Sequence, residues 1–149
     1  MKRKALFPGT FDPYTVAHDA IVKRGLSFAD EIIIAIAIHP KKKCFYSLAY
    51  RLELIKTIYA DDKRISVASY DTLTVDFAKQ NDVNFVLRGL RNSIDFEYEN
   101  NIAVTNLKLT GLETVFLIAD PEYAYISSSL VRELVIHNKN ISHLLPSIK

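Results

Sequence analysis

The stretch Glu31–Ile38 constrains the fold more than any other part of this 149-residue chain. It reads Glu-Ile-Ile-Ile-Ala-Ile-Ala-Ile, so an extended strand here would be apolar on both faces. A strand that needs cover on both sides is typical of the interior of a parallel sheet. Four other short apolar segments alternate with helical patterns, at residues 5–7, 65–68, 83–87 and 114–119. The alternation predicts an α/β fold: a doubly wound, five-stranded parallel sheet with helices on both faces, in one domain over residues 1–149.

Helical patterns and capping residues fall between these strands. Pro8 and Gly9 should end the first strand, and Gly111 should end the longest helix. Helices are expected at residues 18–29, onward from Ser47, at residues 73–79, from Asn92 or Ser93 to about Leu109, and onward from Ser127.

Composition excludes several classes of protein. The net charge of +2 is too small to indicate nucleic-acid binding. The only cysteine is Cys44, so no disulfide framework is expected, which suits a reducing compartment. Apolar runs are far shorter than a membrane span. We therefore expect a cytoplasmic protein that binds neither nucleic acid nor a membrane.

Cationic and hydroxyl side chains follow the predicted strands. In open α/β sheets, ligands bind beyond the carboxyl ends of the strands. The residues expected there, taken strand by strand, are Gly9, Thr10 and His18, then His39 and Lys41–Lys43, then Asp71–Thr74, then Arg88 and Arg91 in a tight Arg-Gly-Leu-Arg turn, and finally Asp120–Ser129. Together they predict an anion site large enough for more than one phosphate group.

Each of these features also has a purely structural explanation. A lone histidine near a helix start is more often structural, and three successive lysines are more often a solvated charge run. Spacing does not choose among the three lysines, and one serine suffices as a helix cap. Carboxylates at the start of the longest helix are explained by its dipole. The other histidines, His39, His137 and His143, lack partners at metal-ligand spacing, so no protein-built metal site is predicted.

The combination of motifs is more specific than any single one. The motifs are Gly9–Pro13, Thr15–His18, Arg88–Arg91, Asp95–Glu99 and Ile126–Glu133. With them, the chain closely resembles the bacterial phosphopantetheine adenylyltransferase family, within the nucleotidyltransferases that carry a His-x-Gly-His-type motif. The resemblance covers nearly the whole chain and implies a Rossmann-like nucleotidyltransferase fold.

The resemblance implies transfer of an adenylyl group from ATP to 4′-phosphopantetheine, giving dephospho-coenzyme A and pyrophosphate. It also implies Mg²⁺ held largely through the ATP phosphates, a cytoplasmic homohexamer, and coenzyme A as a candidate feedback ligand. His18 would stabilise the transition state, with Thr10, Lys42 and Arg91 as further catalytic residues. ATP would contact Thr10, Phe11, His18, Gly89, Leu90, Arg91, Glu99, Tyr123, Ala124, Tyr125, Ile126, Ser127, Ser128 and Ser129. Phosphopantetheine would contact Thr10, Lys42, Thr74 and Arg88.

Two positions depart from the family pattern. Ala17 replaces the motif glycine before His18, so a methyl group is added where the triphosphate should approach the helix. Thr74 stands where many relatives carry an apolar residue. Two alternatives therefore stay open: a related nucleotidyltransferase with another phosphorylated acceptor, and a non-catalytic nucleotide-binding module.

Overall fold

Strands and helices alternate along the chain as the sequence predicts. The computed structural model describes residues 1–148. The strands are β1 (Lys4–Gly9), β2 (Glu31–Ala37), β3 (Ile65–Tyr70), β4 (Phe85–Leu90) and β5 (Glu113–Ile118). The helices are α1 (Val16–Gly25), α2 (Leu48–Ile58), α3 (Thr74–Gln80), α4 (Ser93–Thr110) and α5 (Ser128–Ile136), followed by a 3₁₀ turn at Ser142–Leu144.

The strands form one five-stranded sheet in the order β3-β2-β1-β4-β5, and every neighbouring pair is parallel. The first strand therefore lies at the centre, and the chain winds outward from it in both directions. The carboxyl ends of all five strands share one edge of the sheet, as the sequence predicts.

The two faces of β2 pack against different helices. Ile32, Ile34 and Ile36 are buried in the cluster that contains Val22 of α1 and Ile55 of α2. The alternating residues Ile33 and Ala35 belong to a second cluster, with Ala78 of α3. Helices cover both faces, so the prediction of a doubly wound sheet is confirmed. Within residues 1–148, no helix is long and apolar enough to cross a membrane.

β1 ends at Gly9, so the prediction that the strand stops at Phe7, before Pro8, is wrong. Its pairing with β2 continues to Gly9, but its pairing with β4 stops at Leu6. The missing proline N–H therefore interrupts no ladder with β4, and the Pro8 carbonyl accepts a hydrogen bond from the Arg88 guanidinium.

β4 also runs further than predicted. Residues 88–90 are strand rather than a tight turn, because they pair in register with residues 116–118 of β5. This extension places Arg88 on a fixed strand instead of a loop. Gly89 remains a point of close approach, since a Cβ there would lie 3.0 Å from the Ile21 side chain of α1.

Capping residues set most helix boundaries as expected. Asn92 caps α4 by accepting the Asp95 amide, and Gly111 ends that helix in the left-handed region at φ 76°. Ser47 caps α2, and Ser127 caps α5. α1 differs from the prediction: it spans Val16–Gly25 and its cap is Thr15, so His18 lies inside its first turn.

Candidate active site

His18 is fixed by the start of its own helix. The Thr15 amide donates a hydrogen bond of 2.9 Å to His18 Nδ1, so the imidazole carries its proton on Nε2 when it is neutral. Burial, together with the nearby Arg88 and Arg91 guanidinium groups, lowers the pKa of His18 to about 3. The side chain is therefore a neutral hydrogen-bond donor at physiological pH.

Aromatic rings surround the His18 imidazole. Tyr14 stacks on it with the ring centroids 5.2 Å apart and the planes 26° from parallel. Phe11 meets it edge-on at 5.0 Å, and Phe11 itself has a left-handed φ of 49°. A Cβ at Gly9 would lie 2.8 Å from the Phe11 ring, so any larger residue would require that ring to shift away from its place beside the imidazole.

Lys42 contacts the turn after β1. Its Nζ donates to Thr10 Oγ1 at 3.2 Å. Sequence spacing left the choice among the three lysines open, and the geometry distinguishes Lys42 by this contact. Next to it lies a cavity of about 200 Å³, whose polar lining includes His39, Cys44 and Arg51.

Asp12 joins the lysine-bearing loop to the β1 turn. The buried Asp12 carboxylate accepts the backbone amides of Phe45 at 2.7 Å and Tyr46 at 2.8 Å. Arg51, also buried, donates to the carbonyls of Thr10 and Tyr46. These two side chains hold both segments in place.

Sequence reasoning missed Asp12 and Arg51, although a signal for each was present. Asp12 lies inside the Gly9–Pro13 motif. Arg51 falls on the apolar stripe of α2, between Leu48 and Ile55. A charged side chain on such a stripe needs a buried partner, and that requirement points to a structured polar turn nearby.

Arg88 and Arg91 are both paired with carboxylates of α4. Glu99 accepts from Arg88 Nε at 2.8 Å and from Nη2 at 2.5 Å. Asp95 accepts from the Arg91 amide at 3.0 Å and from its Nε at 3.1 Å. The first two turns of α4 therefore orient both guanidinium groups.

The start of α5 is tied to the same β1 turn. Ser127 accepts the Leu130 amide, and Ser128 Oγ donates to the Pro13 carbonyl at 2.7 Å. Arg132 donates to the Asp12 carbonyl at 2.8 Å and to Ser129 Oγ at 3.1 Å. The N–H groups at this helix start consequently lie beside the first turn. The preceding residues 123–126 lead into it, with Tyr125 64% exposed and Ile126 buried.

Thr74 is the first residue of α3, just beyond the carboxyl end of β3. Its hydroxyl is 2.9 Å from the Tyr70 hydroxyl. The structure therefore places Thr74 at the expected edge, and its recorded side-chain contact is with β3 rather than with Thr10 or Lys42.

Within residues 1–148, no group of three or more histidine, cysteine or acidic side chains is arranged to hold a metal ion. The carboxylates nearest the site are already engaged: Asp12 with amides, and Asp95 and Glu99 with arginines. These carboxylates therefore already serve the protein's own amide and guanidinium groups.

Comparisons with known proteins show which family the sequence matches. The cytidylyltransferase-like family model matches residues 6–134. The phosphopantetheine adenylyltransferase of Bacteroides thetaiotaomicron is 50% identical over 144 residues, covering 97% of this chain and 95% of the relative. That of Flavobacterium johnsoniae is 46% identical, with the same coverage of 97% and 95%.

Solved structures share the fold at low identity. A Francisella tularensis bifunctional NMN adenylyltransferase/ADP ribose pyrophosphatase has a TM-score of 0.73 at 13% identity, covering 100% of this chain and 46% of its own. A Vibrio parahaemolyticus protein described as a nicotinate-nucleotide adenylyltransferase has a TM-score of 0.69 at 17% identity, covering 99% and 95%. Given the sequence identity to curated relatives over nearly the full length, the chain belongs to the phosphopantetheine adenylyltransferase family of cytidylyltransferase-like proteins.

Proposed function

We propose that this chain, as a single domain, transfers an adenylyl group from ATP to 4′-phosphopantetheine and releases dephospho-coenzyme A and pyrophosphate. The observation that carries the proposal is the convergence on one turn. Lys42 contacts Thr10 at 3.2 Å, and the neutral His18 lies in the helix that follows the same turn. Family membership supports this choice of substrates over other phosphorylated acceptors.

The reaction needs positioning and charge neutralisation rather than a general base. A phosphate monoester has a second pKa of about 6, so the acceptor oxygen is already largely anionic at neutral pH. The α-phosphorus gains negative charge on its oxygens as the acceptor attacks. A preorganised neutral donor such as His18 Nε2–H stabilises that charge without taking up a proton beforehand.

The remaining residues divide between the two substrates. Thr10, Lys42, Thr74 and Arg88 bind the phosphopantetheine side, with Thr10 at the meeting point. Arg91 and the start of α5 bind the ATP phosphates, since free helix N–H groups favour anions. The further ATP contacts proposed from the family are Phe11, Gly89, Leu90, Glu99, Tyr123, Ala124, Tyr125, Ile126, Ser127, Ser128 and Ser129. Bound Mg²⁺ would supply further neutralisation of the triphosphate charge.

Ala17 is compatible with this proposal. Its side chain packs against the apolar cluster formed by Ile126, Val131 and Leu144. The methyl group that replaces the motif glycine therefore helps to join α1 to α5. That contact supports the serine-bearing helix start beside the first turn.

We also propose a cytoplasmic homohexamer with coenzyme A as a feedback ligand. Support for assembly comes from α4, whose outward side chains are apolar: Ile94 is 76%, Tyr98 67% and Leu109 62% exposed. Exposed apolar surface of this extent on one helix favours burial against other subunits.

Pyrophosphate release tests the proposed reaction directly. The purified protein is mixed with ATP and 4′-phosphopantetheine, with and without Mg²⁺, and nicotinamide mononucleotide and glycerol phosphate serve as alternative acceptors. We expect release only with 4′-phosphopantetheine and Mg²⁺. Release with another acceptor would identify a related nucleotidyltransferase, and tight ATP binding without turnover would identify a non-catalytic module.

A further inference from the structure

A chain of hydrogen-bonded hydroxyl groups begins at Tyr14, whose ring stacks on the His18 imidazole. The Tyr14 and Tyr59 hydroxyl oxygens are 2.6 Å apart, and the Tyr59 hydroxyl donates to Asp19 Oδ1 at 2.5 Å. Lys23 Nζ lies 2.6 Å from Asp19 Oδ2, which closes the chain at the protein surface. Because the Tyr59 proton goes to Asp19, the Tyr59 oxygen accepts the Tyr14 proton, and the hydrogen bonds run in one direction.

This arrangement is more elaborate than packing requires. Tyr14 is fully buried and Asp19 is only 8% exposed. Burial raises the pKa of both tyrosines, so their hydroxyl groups stay protonated. A dipole effect accounts for Asp19 in the first turn of α1, but it does not account for the Tyr59 hydroxyl bound to that carboxylate or for the Tyr14 hydroxyl bound to Tyr59.

Tyr14 connects the hydroxyl chain to the imidazole. The Tyr14 ring stacks on the His18 imidazole, with the centroids 5.2 Å apart. The hydroxyl at the other end of the tyrosine bonds to Tyr59. Tyr59 directly follows α2, whereas Asp19 lies in α1. The Tyr14 ring is thus held between two helices and cannot slide or tilt without breaking its hydrogen bond to Tyr59.

Two independent restraints therefore act on His18. The Thr15 amide fixes the imidazole through Nδ1, and the Tyr14 ring fixes the orientation of its plane. Donors of this kind lose much of their effect when they are displaced by about 1 Å. Neighbouring side chains that hold the donor in a single rotamer prevent that loss.

We propose that Tyr59 and Asp19 are positioning residues for His18 and act through the stacked Tyr14 ring. The inference rests on the proposed role of His18 in adenylyl transfer. Tyr59 and Asp19 need not touch either substrate, so their loss should change the catalytic step rather than substrate capture.

The test removes one oxygen atom and leaves the rings in place. In Tyr59→Phe, we expect kcat to fall about 3- to 10-fold with both KM values unchanged, since the donor is misplaced without loss of a substrate contact. Tyr50→Phe is the matched control, because Tyr50 is an exposed tyrosine on the same helix, and it should keep wild-type kcat. Tyr14→Phe removes the other hydroxyl of the Tyr14–Tyr59 hydrogen bond. It is used instead if Tyr59→Phe does not fold.

Nitrogen NMR of the imidazole provides a readout independent of turnover. His18 signals, assigned by comparison with His18→Ala, should show the Nε2–H tautomer in both proteins, because the Thr15 amide sets it. In Tyr59→Phe the His18 signals should be broadened, because the imidazole plane is held less firmly. Unchanged kcat and an unchanged His18 spectrum, even with lowered stability, would show that the chain is structural only. Absence of pyrophosphate release by the wild type would overturn the proposed function, and the NMR comparison would still decide the positioning role.

Discussion

Glu99 binds the guanidinium of Arg88 with both of its carboxylate oxygens, at 2.8 Å from Nε and 2.5 Å from Nη2. Glu99 is buried, and the pair joins α4 to β4. Arg88 also donates through Nη1 to the Pro8 carbonyl. An arginine has more N–H groups than these contacts use, so the remaining donors can bind a substrate phosphate from a fixed position.

Replacing Glu99 by glutamine should loosen Arg88. The neutral amide keeps the shape but loses the bidentate charge pair, so we expect unfolding free energy to fall by about 2–3 kcal/mol and KM for 4′-phosphopantetheine to rise about tenfold. Urea denaturation and steady-state kinetics measure the two effects. Glu97→Gln, at an exposed position on the same helix, is the control and should change neither quantity. Unaltered stability in Glu99→Gln would contradict a structural role for the pair.

The three successive lysines should differ sharply in their contribution to 4′-phosphopantetheine binding. Lys42 alone among them has a recorded contact with Thr10, so Lys42→Ala should raise KM for 4′-phosphopantetheine about 10- to 100-fold, the range of one charged hydrogen bond. Lys41→Ala and Lys43→Ala, which remove exposed neighbours of the same charge, should change it less than threefold. Equal effects from all three variants would indicate a general electrostatic contribution instead of a specific contact.

Much of the fold follows from local pattern. The apolar segment at residues 31–37 and the caps Ser47, Asn92 and Ser127 indicate their elements directly, since each depends on neighbouring residues. The ends of β1 and β4 do not follow in this way. Pro8 continues its strand because β4 has already separated there, and Arg88 continues its strand because β5 pairs with it. Both outcomes depend on partners far away in the sequence.

The candidate site also has features that follow from the sequence pattern and others that depend on distant contacts. The sheet topology places Thr10, His18 and Arg88 at one edge, as the strand pattern predicts. Spacing does not reveal that Lys42 reaches Thr10, or that Asp12 holds the loop that carries Lys42. Those contacts arise from the path of the loop after β2, and a loop path depends on packing rather than on periodicity.

His18→Ala should lower kcat by about 100-fold or more, the size expected when one preorganised donor to a developing oxyanion is lost. KM should change less, because the proposed contact strengthens mainly in the transition state. Single-turnover measurement of adenylyl transfer separates this step from product release. A folded His18→Ala protein with near wild-type kcat would refute the assigned role.

The low pKa of His18 should also appear in the pH dependence of stability. In the folded chain its pKa is about 3, against an ordinary value of 6.5. As the pH falls from 6.5 toward 3, the unfolded chain binds a proton at this site and the folded chain does not, so the unfolding free energy decreases. His18→Gln keeps a side chain that can accept the Thr15 amide but has no group that binds a proton in this pH range. Urea denaturation at pH 7.5 and 4.5 should therefore show a larger loss for the wild type than for the variant, and equal losses would contradict the shift.

Asp12→Asn should reproduce part of the rise in KM expected for Lys42→Ala, without removing the lysine itself. Asparagine offers one acceptor oxygen where the carboxylate accepts two amides, so the loop at residues 39–46 loses an anchor and Lys42 loses its fixed approach to Thr10. We expect KM for 4′-phosphopantetheine to rise severalfold and the unfolding free energy to fall by about 1–3 kcal/mol. Asp61→Asn, at an exposed position, is the control and should behave as wild type. Because Asp12 acts through Lys42, the double variant Asp12→Asn/Lys42→Ala should show no higher KM than Lys42→Ala alone, whereas additive effects would mean that Asp12 contributes to binding by another route.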